Sequence, residues 1–397
     1  MASNNNMVKS IPSRIVTYVI LISTGILILI PFLLALSGSL KTASDVFTYP
    51  PRFLPYAPET ALINDVEYPL FEVPVSADET KQLARIEQGV SVRLWQPIAG
   101  GEQFLAPKSQ LTETDELYSF EGEQVPVFVD AAGIKFADVG SAIVGVYADP
   151  ANPDAAPVYF PSADLEVAEN VSAQVGNFQE VVELNGFGRA ITNTVLVTIL
   201  VVGGQLLTSI LGGYAFARLR FRGRDKLFLF WLGSIMVPFV VIVIPLFQLI
   251  VGINWVNNLG SLIIPFVFSA YGTFLMRQFF ISIPVELEEA ARIDGASRWA
   301  ILWKIFVPLS IPAIATLTTF AFLYAWNSFL WPLIVIDSGN QSAAVLAPTL
   351  SVLGGRGADQ PNLVLAGVIL AILPPILVFL FAQRAFVENA QSSGLKG

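Results

Sequence analysis

Six stretches of the chain are predominantly apolar for about the 20 residues that a bilayer-crossing helix needs. They run roughly over Ile15–Ser37, Ile191–Ala217, Leu227–Val251, Leu259–Phe280, Ser310–Ile336 and Leu363–Phe386. Between the first two lies a segment of another kind, about Thr60–Ala173, which is polar, acidic and rich in Pro, Gly, Val and aromatic residues. Its short runs Ser91–Trp95, Gln124–Val129 and Ala142–Tyr147 predict strands; in the first, Val92 and Leu94 alternate with Ser91 and Arg93, as on a half-buried strand. Thr80–Gln88 is expected as one short helix, and Gly100-Gly101 and Ala132-Gly133 as turns. Asp149–Asp154 reads as a loop, because the ligand spacing of a calcium-binding EF-hand is missing. At about 110 residues the segment is long enough to fold alone. The pattern predicts an all-α polytopic membrane protein with six transmembrane helices and an inserted β-rich domain. Residues 1–59 form the N-terminal segment with the first span, 60–173 the insertion, and 174–397 a core of five spans.

Composition sharpens this picture. The 397 residues are 54% hydrophobic and only 13% charged, against about a quarter charged in soluble domains. Cys and His are absent, which removes disulfides, thiolate chemistry, the commonest metal ligand and the commonest general base. No metal site, catalytic group or cofactor of the chain's own is expected. The net charge of −9 argues against nucleic-acid binding. Asp45 to Glu183 holds 23 of the 31 acidic residues, against seven basic ones between Lys41 and Lys135. Met1–Ser13 is polar and expected to be frayed. The first span reads as a retained anchor rather than a cleaved leader. Its apolar core is too long, and Pro31-Phe32-Leu33 stands where small residues would be needed for cleavage.

Lys and Arg set the orientation, since they gather in cytoplasmic loops. Lys9 and Arg14 precede the first span. Arg218, Arg220, Arg222, Arg224 and Lys226 lie between the second and third, and Arg277, Arg292, Arg298 and Lys304 between the fourth and fifth. Arg384 and Lys396 follow the sixth, whereas Gly252–Asn258 has no basic residue and the loop after the fifth span has only Arg356. Both termini are thus expected in the cytoplasm and the insertion outside it. Within the spans, Gly212 and Gly213 permit close helix packing, and Pro238 and Pro245 should kink the third span. The fifth contains Tyr324-Ala325-Trp326-Asn327-Ser328-Phe329-Leu330-Trp331-Pro332. An Asn at that depth faces the bundle or a wet cavity, and aromatic rings offer faces on which a sugar stacks. Tyr324, Asn327 and Ser328 are candidates for lining a solute path; Asn327 equally suits an interhelical hydrogen bond. Trp326 and Trp331 suit an interfacial aromatic belt, Trp331 especially.

The longest charged interruption of the apolar half is Ser282–Pro308. Pro284 suits a first helical turn, and Glu286, Glu288 and Glu289 follow where the helix dipole favours negative charge. Gly295 is the expected break. A helix, a Gly-centred turn and a second helix make a charged hairpin, suited to docking a soluble partner. The spacing Glu289-Ala290-Ala291, Gly295, Ile305 and Pro308 resembles the EAA loop of ABC importer permeases, with Val307 in place of the usual Leu. Ser39-Leu40-Lys41 with Pro50-Pro51, Phe187–Thr194, Tyr271–Gln278, Trp326–Pro332 and the terminal Gln383-Arg384-Ala385-Phe386-Val387 with Lys396-Gly397 are also similar to MalG-like permease subunits of carbohydrate importers. Ala385 departs from the aromatic common there.

That resemblance implies the type I ABC importer permease fold in a bacterial inner membrane. It implies that the chain forms the path with a second, MalF-like permease, receives solute from an extracytoplasmic binding protein, and is driven by a dimer of cytoplasmic ATPases. Glu289, Ala290, Ala291, Asp294, Gly295, Ile305 and Pro308 would carry the coupling, and the C-terminal tail would reach toward the ATPases; a disordered tail is the alternative. ATP and Mg would be bound by those subunits, since this chain has no Walker A sequence. The insertion is expected to serve either as a lid or docking surface for the binding protein or as a decoration with no role in transport. A permease for another organic solute, such as glycerol phosphate or an amino acid, is the alternative. A membrane sensor would not need six spans, and a membrane enzyme would lack His, Cys and paired carboxylates in the spans.

Overall fold

The computed structural model describes residues 5–76, 79–337 and 339–394. Leu395, Lys396 and Gly397, the end of the C-terminal signature, lie outside the described residues. The chain forms two compact units, Leu54–Ala173 and the remainder.

The inserted unit is antiparallel throughout. Its strands are β1 (Tyr56–Pro58), β2 (Thr60–Ile63), β3 (Val66–Ser76), β4 (Glu79–Pro97), β5 (Phe104–Ala106), β6 (Thr112–Phe120), β7 (Glu123–Val129), β8 (Lys135–Ala148), β9 (Val158–Phe160), β10 (Glu166–Val167) and β11 (Glu169–Val171). The main sheet runs β10-β3-β4-β8-β7-β6, with β2, β5 and β9 added at β3, β4 and β8. The first and last strands pair, Tyr56 opposite Val171, and bring the unit's two ends together. The long β4 and β8 carry two apolar clusters: Phe71, Val73, Leu83 and Tyr147 in one, and Trp95, Ala106, Phe128 and Phe136 in the other.

All three expected strands lie within β4, β7 and β8, and Gly100, Gly101 and Gly133 have positive φ, as their turns require. Asp149 closes its loop by accepting the Ala151 N–H at 2.8 Å. The expected helix at Thr80–Gln88 is instead the first half of β4. Leu83 and Ala84 are both buried, in different apolar clusters, which suits a strand packed on two faces. Pairing to β3 on one side and β8 on the other satisfies the backbone, so tertiary context overrides local helix preference.

The other unit is helical. It comprises α1 (Asn5–Ser39), α2 (Ala43–Val46), α3 (Gly176–Glu183), α4 (Phe187–Arg218), α5 (Arg224–Gly233), α6 (Phe239–Gly252), α7 (Gly260–Ile263), α8 (Ala270–Ser282), α9 (Val285–Ile293), α10 (Arg298–Ile301), α11 (Val307–Leu309), α12 (Ile311–Trp326), α13 (Leu330–Val335), α14 (Leu346–Gly354) and α15 (Pro361–Gly394). The segment expected to be frayed is helical from Asn5, because extending an existing helix costs far less than nucleating one.

Five helical stretches are long and apolar enough to cross a membrane: Ile15–Ser39, Phe187–Arg218, Gly260–Ser282, Ile311–Val335 and Pro361–Gln383. The third expected span is not one helix. Arg224–Met236 and Phe239–Gly252 meet at 100°, more than a kink. Val237 is extended, as the residue before a proline prefers, and Pro238 caps α6.

Packing is closest between α4 and α8. A Cβ on Gly213 would lie 2.7 Å from the Met276 Cβ and 2.9 Å from the Arg277 nitrogen, so glycine is what permits that approach. A polar knot holds the chain on both sides of the insertion. Buried Asn177 donates to the Ser39 and Lys41 carbonyls at 2.8 and 2.9 Å and accepts from Asn362 at 3.0 Å. Lys41, 4% exposed, donates to the Arg52 carbonyl at 2.7 Å.

The two tryptophans of the fifth span are buried within the helical unit rather than facing outward as an aromatic belt would. Trp326 and Trp331 are 4% and 2% exposed. The Trp326 Nε1 donates to the Ala371 carbonyl at 3.0 Å; the residue four further on is Pro375, which has no N–H to offer it. The Trp331 Nε1 donates to the Ser261 carbonyl at 2.9 Å, and again a proline, Pro265, stands four residues on. Each indole replaces a helix hydrogen bond that a proline removed.

This pairing is open to a double-mutant cycle. Trp326→Phe alone should destabilise the solubilised protein by about 1 kcal/mol, the scale of a buried hydrogen bond. In a Pro375→Ala background, where the helix supplies its own N–H, the loss in thermal unfolding should shrink. Equal losses in both backgrounds would refute the pairing.

Candidate functional site

Two features of the helical unit suit function: the charged hairpin between α8 and α12, and a cavity among the spans. The hairpin starts where Ile283 and Pro284 adopt extended backbone after α8. Pro284 caps α9, one residue outside the first turn where it was expected. Glu286 and Glu288 occupy the first turn of α9 and Arg292 its last, which complements the helix dipole at both ends. The helix closes in a Schellman motif: the Ala296 N–H reaches the Ala291 carbonyl at 2.9 Å, and the Gly295 N–H the Arg292 carbonyl at 3.1 Å. Gly295 sits at φ +79°, with open space where a Cβ would be. Backbone conformation, not crowding, selects glycine there.

Ser297 then caps α10, its Oγ accepting the Ala300 N–H at 3.2 Å. Leu302–Phe306 continues as a π-helical stretch, a local widening of the kind often found at functional sites.

One side of the hairpin is anchored. Ala291, Ala296 and Ile305 pack against a cluster that includes Tyr214, Met276, Phe280, Leu302 and Phe306. The other side is open. α9 buries none of its residues, yet Ile293 is 86% and Trp299 62% exposed. Of the motif residues, Glu289, Ala290, Asp294, Gly295 and Pro308 are exposed and Ala291 and Ile305 half-buried. Glu289 has no ion pair among the described residues; the pair on this helix belongs to Glu288, 3.9 Å from Arg218.

The cavity has a volume of 560 Å³ and is lined by Gln205 of α4, Ser234, Ser269, and Tyr271 of α8, with Phe320 and Tyr324 of α12. Its lining contains no charged side chain. The Gln205 amide is oriented by donating to the Phe266 carbonyl at 2.9 Å. Tyr324 and Ser328 also line a neighbouring 20 Å³ void, about large enough for one water. Asn327 lines neither: it is exposed, and its Nδ2 bonds the Leu323 carbonyl of its own helix at 2.9 Å. A further cavity of 690 Å³, lined by Val256, Pro332, Asp337, Gln341 and Thr349 among others, contains one acidic residue.

Sequence reading singled out Tyr324 and Ser328 but not Gln205, Ser234, Ser269 or Tyr271. The usable signal was polarity inside an apolar span, which marks bundle-facing positions.

Residues 209–390 match the family model described as "Binding-protein-dependent transport system inner membrane component". Over 207 residues the chain is 37% identical to the sn-glycerol-3-phosphate transport system permease protein UgpE of Pectobacterium atrosepticum, covering 52% of this chain and 74% of that one. This chain belongs to that inner-membrane component family. Over 205 residues it is also 36% identical to the arabinooligosaccharides transport system permease protein AraQ of Halalkalibacterium halodurans, covering 52% and 73%. Among solved structures it is similar to a bacterial ABC transporter involved in the import of the acidic polysaccharide alginate. Identity there is 26% and the TM-score 0.47, with 54% of this chain and 80% of that chain covered. The permease is thus a multi-pass inner-membrane subunit. The hairpin and the walls of the cavity fall mostly inside the family match, and the β-rich unit falls outside it.

Gly295→Ala should weaken the hairpin turn by about 1 kcal/mol, while Gly295→Asn, which tolerates positive φ, should cost less. Hydrogen exchange at the Gly295 and Ala296 amides reads the difference; equal protection in both variants would contradict the conformational argument.

Proposed function

We propose that this permease subunit forms one half of the path of an ATP-driven importer for carbohydrate, with a second permease forming the other half. ATPase subunits dock on the Ser282–Pro308 hairpin from the cytoplasm. Both termini lie on that side, and the β-rich unit lies on the opposite side, where a binding protein delivers solute. In this reading the bent pair Arg224–Met236 and Phe239–Gly252 counts as one span, which completes six spans of the type I importer fold.

The observation that carries the docking role is the hairpin's open side. Water-exposed Ile293 and Trp299 on a rigid helical turn, flanked by charged residues, fit a partner's apolar cleft better than they fit solvent. The basic residues of the Arg218–Lys226 loop and of the hairpin itself support a cytoplasmic position. The C-terminal part of α15 belongs to the same side.

The uncharged cavity supports the solute class. Gln205, Ser234, Ser269, Tyr271 and Tyr324 offer hydrogen-bonding groups and aromatic faces, which suit the hydroxyls and ring faces of a neutral sugar. An anionic solute would favour a basic group there, and the lining has none. AraQ, by its name, serves arabinooligosaccharides. UgpE, by its name, serves sn-glycerol-3-phosphate, which makes a phosphorylated solute the alternative to exclude.

Two measurements test this. Ile293→Asp should reduce co-purification of the ATPase subunits about tenfold, since a charge would replace a buried apolar contact of the docked state. Undiminished co-purification would remove the hairpin as the docking site. In proteoliposomes of the whole transporter, neutral oligosaccharides with the binding protein should stimulate ATP hydrolysis and sn-glycerol-3-phosphate should not. The reverse would assign the path to an anionic solute.

A further inference from the structure

Arg218, the last residue of α4, is nearly buried, with a side chain 10% exposed. Its Nη2 donates to the Phe280 carbonyl at 2.7 Å and also to the Ile283 carbonyl. These carbonyls belong to the end of α8 and to the residue that caps it, where the helix leaves its last carbonyls short of donors; among the described residues the Phe280 carbonyl otherwise has only the Ile283 N–H, at 3.4 Å. Its Nη1 lies 3.9 Å from the Glu288 carboxylate on α9, which is itself 14% exposed. Its guanidinium lies over the Phe306 ring, 4.9 Å from the centroid, at the end of the π-helical stretch. One turn earlier on α4, Tyr214 sets its ring edge-on to Phe306 and Phe280, at 5.3 and 6.3 Å.

One side chain therefore joins four elements: α4, the end of α8, α9 and the second arm of the hairpin. Arginine can do this because its planar fork carries five donors in fixed directions, a geometry lysine lacks. Burial strengthens the pair with Glu288 relative to an exposed one. The chain between α8 and α9 is two extended residues, Ile283 and Pro284, which would otherwise act as a hinge.

We propose that Arg218 is a positioning residue that makes the hairpin helix α9 move as one body with α4 and α8. Those two helices carry Gln205 and Tyr271 into the cavity lining. Gln205 stands 13 residues before Arg218, about 20 Å along the helix axis. A displacement applied to the hairpin from outside then reaches the cavity wall instead of being absorbed by bending at Pro284. This rests on the hairpin's being the ATPase docking site.

The test uses the complete transporter in proteoliposomes, with two readouts kept apart: ATPase subunits retained on purification, and solute transported per ATP hydrolysed. Arg218→Lys and Arg218→Met should retain the ATPases but lower transport per ATP about tenfold. Glu288→Gln, which leaves the carbonyl caps in place, should lower it about threefold; both changes are within the range found for residues that carry coupling. A purely structural role would reduce assembly and leave the ratio of the assembled fraction unchanged, and that result overturns the proposal. If Arg218→Met does not fold, Arg218→Lys and Glu288→Gln decide the question on the same ratio. Failure of the docking reading is separately visible, because Ile293→Asp would then leave the ATPases attached.

Discussion

A helix that breaks inside a membrane must find new partners for its backbone, because the hydrocarbon offers none. Much of this permease is arranged around that requirement. Trp326 and Trp331 cap carbonyls that Pro375 and Pro265 leave open. Gln205 and Thr208 cap Phe266 and Val267 at the break before α8, at 2.9 and 2.7 Å. Asn193 holds the Ser342 and Ala344 carbonyls of the non-helical stretch before α14. Arg218 does the same at the end of α8. Each cap satisfies a backbone group and also joins two elements distant in sequence.

This dual use links stability to function. The breaks let polar backbone and small side chains approach a cavity, and the caps keep the broken ends in fixed positions. Gln205 both caps a break and lines the cavity. Arg218 both caps α8 and holds the hairpin. The close contact of α4 and α8 at Gly213 runs between these two points, so the helices that Arg218 grips at one end carry cavity-lining residues further along. The hairpin needs such support, since α9 buries none of its own residues and is held through Ala291, Arg218 and the second arm.

Features that depend on local rules were legible in the sequence. Hydrophobic length located five candidate spans, and glycine's tolerance of positive φ located the turn at Gly295. The strands in β4, β7 and β8 were visible as short runs. Features that depend on partners distant in sequence were not. Thr80–Gln88 looks helical until β3 and β8 flank it. Trp331 looks like an interfacial anchor until the Ser261 carbonyl, four residues before Pro265, is placed at its indole N–H. Pro238 signalled a kink, but the 100° bend required Val237 to leave the helix entirely. Of the candidate path residues, Tyr324 lines the 560 Å³ cavity, Ser328 only the small void beside it, and Asn327 neither. Gln205, Ser269 and Tyr271 join the lining because of helix rotation, which apolar length does not encode.

The most direct test of the account concerns the open side of the hairpin. The chain has no cysteine, so Ile293→Cys introduces a single thiol there. In right-side-out vesicles a membrane-impermeant maleimide should leave this thiol unlabelled. In inside-out vesicles it should react when the ATPase subunits are absent and be protected when they are bound. Labelling from the outside, or equal labelling with and without the ATPases, would contradict the placement of the hairpin and its role as the point where the motor acts.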